Sequence, residues 1–372
     1  MKNKLLITLI TILAALPLDS WAQFKVRALF QPDTVYILAV GDIMMHTDQI
    51  TNSAEHGYEM YFKEIEDRFK KADATIGNLE FTLAGKPYTG YPSFSAPDSY
   101  ATYIANSGIN IFLTANNHIH DKGAAGAART LEQYDMLSKT HGIIHTGSAR
   151  NEQEMMENFP LFFVRKGIRF AIINLTYGTN SSFASSYPKT YRLKSQEEVE
   201  AAFKRAKEGK ADIIIAMPHW GEEYRLKHSE DQHNKAQYLA DLGADIIIGG
   251  HPHVVQDYEI LKTMENGQMK EVPVIYSLGN LISNMSAKNT RIGLMAGFKF
   301  VRKTSGDIEI SEPEFEFTWC TLPGRKYGSH ATVPVRRNID KKADWKWEYD
   351  FELMVQTYDN VMKETGIYEK DN

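Results

Sequence analysis

Ala244-Asp245-Ile246-Ile247-Ile248-Gly249-Gly250-His251-Pro252-His253 is the stretch on which the fold turns. Its isoleucine run is apolar on both faces, as in a strand of a sheet covered by helices. Two glycines follow, which allow a tight turn, and then two histidines at i and i+2. Ala211-Asp212-Ile213-Ile214-Ile215 repeats the phrase and runs on to His219. Four more apolar runs end in the same kind of residue. Residues 34–41 lead to Asp42 and His46, and 73–79 to Asn78 and Glu80. Residues 110–115 lead to Asn116, Asn117 and His118, and 272–279 to Asn280. Ligands of open α/β sheets bind beyond the carboxyl ends of the strands, so six such ends predict one pocket.

Helical periodicity over residues 58–71, 99–107, 124–140, 196–207 and 231–242 alternates with these runs, an α/β pattern. Residues 161–164 and 169–174, joined through Lys166-Gly167, read as a hairpin. So do 291–301 and 307–317 around Thr304-Ser305-Gly306. Residues 344–363 read as a helix docking through Trp345, Trp347 and Tyr349. The stretch 80–97, rich in Pro, Gly, Tyr and Ser, is either a substrate-facing loop or a surface connection.

The chain has 372 residues, 43% of them hydrophobic and 24% charged, with a net charge of −5. That is a globular composition without a basic face, so nucleic acid is not expected as a partner. Met1 to Lys4 is basic, residues 5–18 are apolar, and Ser20-Trp21-Ala22 offers small residues for cleavage. Residues 1–22 therefore read as a signal peptide, and the mature chain as exported, periplasmic or extracellular, with no membrane span after cleavage. Cys320 is the one cysteine and reads as a packed strand residue. The main domain is expected over 23–318, with 319–372 a C-terminal extension packing on the core.

Imidazole, carboxylate and amide oxygen suit divalent Mn, Zn, Fe or Mg. Asp42, His46, Asn78, Glu80, Asn117, His219, His251 and His253 are the candidate ligands for one or two such ions. His118 is the candidate catalytic acid, with Asp121 fixing its tautomer. Asn116, Glu223, Tyr224 and Asn280 are candidates for substrate contact. His120 reads as a loop histidine, and His56, His141, His145, His228, His233 and His330 as surface or core residues.

Gly41-Asp42-Ile43-Met44, Gly77-Asn78-Leu79-Glu80, Ala115-Asn116-Asn117-His118 with Asp121 and Gly123, His219-Trp220-Gly221 with Glu223-Tyr224, Gly250-His251-Pro252-His253-Val254 with Gln256, and Tyr276-Ser277-Leu278-Gly279-Asn280 resemble, in order, the blocks of the CapA family of bacterial capsule (poly-γ-glutamate) synthesis proteins. That family looks like a branch of the calcineurin-like metallophosphoesterases. The resemblance implies a four-layer α/β/β/α sandwich and a metal site. By it, Asp42 would ligate one ion and Asn117 and His219 a second, with His251 and His253 completing both sites. Two blocks depart from the parent pattern. His46 lies farther from Asp42 than in Asp-x-His, and Asn78 stands where a bridging Asp is expected, with Glu80 as its substitute. The implied function is metal-dependent hydrolysis of a phosphoester or γ-glutamyl bond in an anionic cell-surface polymer, with capsule-assembly proteins as partners. The alternatives are a non-catalytic component that binds such a polymer, and a nucleotidase-like scavenger with a base clamp from Tyr88, Tyr91 and Phe94. Arg325, Lys326, Arg336 and Arg337 are candidates for a basic groove or a solvated loop.

Overall fold

A computed structural model describes residues 34–181 and 187–370. The signal peptide expected over 1–22 lies outside the described residues. The first sheet begins with β1 (Thr34–Ile43), followed by α1 (Thr47–His56), α2 (Glu66–Lys71), β2 (Ala74–Leu79), α3 (Asp98–Asn106), β3 (Ile111–Leu113), α4 (Gly123–His141) and β4 (Ile144–Thr146). Then β5 (Ser148–Ala149) and α5 (Glu152–Asn158) lead to the second sheet. It is made by β6 (Leu161–Arg165) and β7 (Ile168–Thr176) and, after β8 (Lys189–Thr190) and α6 (Gln196–Glu208), by β9 (Ile213–His219). After α7 (Glu230–Asp241) come β10 (Ile246–Ile248), β11 (Tyr258–Glu265) and β12 (Gln268–Ile275). The chain returns to the first sheet with β13 (Asn280–Ile282), β14 (Ile292–Arg302), β15 (Ile308–Ile310), β16 (Glu314–Thr321) and β17 (Ala331–Pro334). It closes with α8 (Val335–Asn338) and α9 (Glu348–Thr365).

The first sheet has the order β17-β16-β14-β1-β2-β3-β4, with β13 beside β1 and β15 beside β14. The second has the order β11-β12-β10-β9-β7-β6. Strand alternation sorts side chains into three cores. Ile37 and Ala39 of β1 meet Ile172, Ile215, Ile246 and Ile248 between the sheets. Leu38 and Val40 face Phe69, Ile104 and Leu131 of the helices outside the first sheet. Ile214 and Ile247 face Val199, Phe203 and Leu239 outside the second. The triple isoleucines are thus split between two cores, each fully buried side chain contributing roughly 1.5–3 kcal/mol. The result is the expected four-layer α/β/β/α sandwich.

Several elements differ from their expectation. Only 66–71 of the stretch 58–71 is helix; residues 58–65 are turns that still bury Tyr61, Phe62 and Ile65. Apolar spacing there serves the core with isolated turn hydrogen bonds, such as Tyr61 N–H to the Tyr58 carbonyl, in place of a continuous helical ladder. The second arm of the 307–317 hairpin is two strands, β15 and β16, both paired to β14. Pro313 stands between them and has no N–H to give to a ladder. The boundary expected at 318/319 falls inside β16, and β17 extends the same sheet. Of the three aromatic residues expected to dock the last helix, only Trp345 is buried; Trp347 is 49% exposed and Tyr349 67%. Phe351, Met354, Tyr358 and Val361 of α9 do the packing instead. Cys320 is buried in β16, and burial pushes its thiol up to about 11.

Candidate metal centre and active site

Strand register brings the candidate residues to one rim. Asp42 is the pairing partner of Asn78 on β2 and of Asn280 on β13. His219 is paired with Thr176 of β7 and bridges to Gly250 beyond β10. The site therefore draws on the ends of both sheets rather than on one open sheet. The glycines act by allowing close approach. A Cβ on Gly250 would sit 3.0 Å from Asp42 Oδ1, and one on Gly249 would sit 2.1 Å from the Tyr276 carbonyl oxygen. The positive φ angles fall on the histidines themselves, +96° at His251 and +58° at His253. Such conformations cost about 1–3 kcal/mol each and concentrate at functional sites.

Glu80 is the centre of the cluster. Its Oε1 lies 3.7 Å from His219 Nε2, 3.7 Å from His253 Nε2 and 4.0 Å from His118 Nε2. Glu80, His219 and His251 form one group able to hold an ion, and Asp42, Glu80 and His253 form another. A third joins Glu223 to His251 and His253. Both Glu80 oxygens and His251 Nδ1 are buried without a hydrogen-bond partner. Burial, reinforced by Asp42 and Glu223, holds the Glu80 carboxyl well above the usual carboxylate range. Burial raises Asp42 too, against the pull of His253. It pushes His219 well below its ordinary value and His251 down to about 3, with neighbouring histidines adding to both shifts. Without a cation the cluster therefore sheds its charge, and a divalent ion would reverse this pKa logic. Unpartnered buried oxygens, convergent imidazoles and an N/O donor set together fit such an ion.

His118 is built as a proton carrier. Its Nδ1 lies 2.7 Å from Asp121 Oδ2, and Asp121 also accepts from the Phe94 backbone N–H at 2.8 Å. Phe94 packs edge-on against the imidazole, with ring centres 4.7 Å apart. Asn116 accepts the His118 N–H and donates to Asn78 Oδ1 and the Leu79 carbonyl, which holds the loop shape.

The model for the bacterial capsule synthesis protein PGA_cap matches residues 36–285. The chain belongs to this bacterial capsule synthesis protein family. It is 28% identical over 264 residues to the "Capsule biosynthesis protein CapA" of Bacillus anthracis, covering 68% of this chain but 60% of that relative. It is 23% identical over 332 residues to the "PGA biosynthesis protein CapA" of Bacillus subtilis (strain 168), covering 86% of this chain and 82% of that one. Among solved structures it is similar to the calcineurin-like phosphoesterase YfkN from Bacillus subtilis. The TM-score is 0.43 at 13% identity, over 90% of this chain and 100% of that one. It is also similar to a 5'-nucleotidase precursor from Thermus thermophilus. That TM-score is 0.47 at 15% identity, over 89% of this chain and 59% of that one.

Within this capsule synthesis fold the candidate residues sort by what they touch. Asp42, Glu80, His219, His251 and His253 converge. Asn117 Oδ1 lies 2.7 Å from His219 Nε2, at the edge of the cluster. Asn78 donates to Asp42 Oδ1 at 2.8 Å and accepts from Asn116, so both ends of its amide are engaged. Asn280 is buried, with its Oδ1 3.0 Å from His253 Nδ1, and donates to the Thr290 carbonyl. Asn116 and Asn280 thus orient other site residues. His46 belongs to none of the ion-holding groups among the described residues. It precedes α1, and its Nδ1 accepts from the Asn284 backbone N–H at 3.2 Å. Glu223 and Tyr224 are exposed at the rim, with Tyr224 at φ +67°. His120, read as a loop histidine, is buried with its Nε2 3.3 Å from Thr190 Oγ1. Of the residues considered for a base clamp, Phe94 is buried behind His118 and offers no open ring face, while Tyr91 is 73% exposed. Lys326 is buried with Asn338 and Glu64, Arg336 pairs with Glu369 and Arg337 with Glu316, while the Arg325 guanidinium lies over the Trp347 ring.

Sequence reading missed Asn174, Tyr177 and Asn180. Asn174 Oδ1 accepts from the Ala115 N–H at 2.8 Å and fixes the start of the His118 loop. Tyr177 lies over His251 with ring centres 4.6 Å apart. Asn180 Nδ2 is 3.4 Å from both His118 ring nitrogens. The signal was the apolar run ending at Thr176, a seventh strand end that was read as half of a hairpin.

Proposed function

We propose that this chain is an exported, divalent-metal-dependent hydrolase of anionic cell-surface polymer metabolism, acting on a phosphoester or γ-glutamyl bond. Asp42, Glu80, His219, His251 and His253 would hold the metal, with Glu80 common to both trios. A bound divalent ion polarises the scissile group and lowers the pKa of its water. The chain's own contribution to the chemistry is His118. Asp121 accepts its Nδ1–H, so that a second proton, taken up at Nε2 to form the imidazolium, is the one it would give to the leaving oxygen or nitrogen. The negative charge on Asp121 steadies the imidazolium between turnovers. Phe94 and Asn180 keep the ring in place. The polymer class rests on the capsule-synthesis family and on the names of the Bacillus relatives. Capsule-assembly proteins are the partners this reading expects.

The carrying observation is the 2.7 Å His118–Asp121 pair beside the unpartnered Glu80 carboxyl. A polymer-binding role would need neither. The test is turnover of bis-p-nitrophenyl phosphate and of γ-glutamyl oligomers by metal-loaded protein, wild type and His118→Asn. The expected result is a kcat loss of about 10²–10⁴-fold in His118→Asn with metal content unchanged. Absence of turnover on both substrates, with the polymer still bound, overturns the hydrolase reading in favour of the binding one. Metal content of wild type and His251→Ala, by elemental mass spectrometry, tests the ligand set separately.

A further inference from the structure

The geometry points to a second metal site, for zinc or a similar borderline divalent ion, formed by His228, His233 and Glu259. One ligand atom from each lies within 4.8 Å of the others. None of the three belongs to the Glu80 cluster. His228 immediately precedes Ser229, the N-cap of α7; His233 is on α7 and Glu259 on β11. The site is thus at the edge of the outer helical layer of the second sheet, beside Tyr276 of the core on that side.

Each ligand has a partner that fixes it. His228 Nδ1 is 3.2 Å from both oxygens of Asp257, so the carboxylate takes that N–H and leaves Nε2 as a lone-pair donor. Histidine ligands commonly give their other N–H to a carboxylate in this way. The His228 ring lies flat on Tyr276, 3.9 Å between centres. The Tyr276 hydroxyl donates to Glu259 Oε1. His233 Nδ1 is 2.9 Å from that same oxygen. Ligand atoms of a tetrahedral zinc at about 2.0–2.1 Å from the metal stand about 3.3 Å apart. The His233–Glu259 pair at 2.9 Å would thus open by a few tenths of an ångström to take an ion.

Two independent surface ion pairs, His228 with Asp257 and His233 with Glu259, are the simpler reading. Separate pairs would not require the convergence observed, with the two rings stacked 5.8 Å apart and one donor atom of each of the three residues within 4.8 Å of the other two.

The site has a consequence for the rim. The loop from Trp220 to Ser229 carries Glu223 and Tyr224, and its far end is fastened by Gln256, which donates to the Arg225 and Lys227 carbonyls. An ion at His228 would clamp the same end and so hold the segment that presents Glu223 beside His251 and His253.

The experiment is zinc titration of the full chain against a competing chromophoric chelator. The double variant Glu80→Ala/His253→Ala, which breaks all three groups of the Glu80 cluster, is expected to keep one equivalent, and adding Glu259→Gln to lose it. Glu259→Gln alone should lower the wild-type stoichiometry by one, which keeps the test available if the double variant does not fold. Circular dichroism checks that the Gln side chain leaves the fold intact. Cobalt(II) in place of zinc should give a visible tetrahedral absorption band that Glu259→Gln removes. A stoichiometry unchanged by Glu259→Gln, or a folded double variant that binds no zinc, overturns the site.

Discussion

Two of the buried clusters of charged side chains, those of Arg291 and of Glu80, are completed differently. Arg291 donates to both oxygens of Asp350, at 2.6 and 2.7 Å, and to the Cys320 carbonyl at 2.9 Å. Its guanidinium lies 4.4 Å above the Trp319 ring. Around Glu80 no hydrogen-bond donor reaches either carboxylate oxygen among the described residues. Arginine keeps its charge at any ordinary pH, so burying it requires a full set of partners. Carboxyls and imidazoles can give up charge, and in the Glu80 cluster they are driven to do so. The first arrangement holds α9 on the core. The second leaves donor atoms converging on a space where only an added cation restores their charge.

The completed pair is tested by removing one of its partners. Asp350→Ala should cost about 3–5 kcal/mol, because an unpaired guanidinium stays buried. Denaturant unfolding measures it, and metal uptake per folded chain should not change. A cost below about 1 kcal/mol would mean that water reaches Arg291 and that the two clusters do not differ in kind. The next effect belongs to the open cluster. Chelating the metal should lower stability by about 2.7 kcal/mol if the free ion was at about 100 times its Kd, and by about 4.1 at about 1,000 times. Thermal melts with and without EDTA read this out. His219→Ala/His251→Ala should lose most of the response.

Much of this contrast was legible in the sequence, and the illegible part has physical causes. Runs such as Ile246-Ile247-Ile248 announce a strand buried on both faces because composition alone carries that information. The residues after them announce a site because strand ends of parallel sheets share a rim. What the spacing could not carry is which atom of a polar side chain is already used. Asn78, Asn116 and Asn280 read as ligand or substrate residues by position. Their amides also bond Asp42, Leu79, His253 and Thr290, contacts that spacing along the chain does not show. Asn180 was invisible for the same reason, since it meets His118 only through the second sheet. Turns with apolar spacing, as at 58–65, mimic a helix because the core, not the backbone, sets that spacing.

A sharper form of the comparison is to fill the open cluster without a metal. With chelator present, Glu80→Gln should stabilise the chain by about 1–3 kcal/mol at neutral pH, since it removes a buried carboxyl without a donor. The sign follows from protons. The folded Glu80 carboxyl titrates above its unfolded value of 4.5, so above that pH the folded chain binds more protons than the unfolded one. Its contribution to stability is thus lost as pH rises, and Gln should flatten that limb of the pH–stability curve. With metal restored the order should invert, because Gln offers no charge to the ion. If Glu80→Gln is the less stable chain in EDTA, then donors reach that carboxyl in solution.

The smallest effect asks whether an unpartnered nitrogen is enough to mark a site. His330 is buried, with Nε2 2.8 Å from Asn284 Oδ1 and Nδ1 without a partner. Burial holds it down to about 4. Below its unfolded value of 6.5 the unfolded chain binds the extra proton, so stability falls as pH falls. The expected loss is about 1 kcal/mol between about pH 6.5 and 5.5, and His330→Gln should remove it in urea titrations at the two pH values. His330 resembles His251 in burial and in its spare nitrogen, yet among the described residues it belongs to no ion-holding group. If metal ions leave its pH dependence untouched while abolishing that of the Glu80 cluster, then convergence, and not the unpartnered atom alone, distinguishes the site from the core.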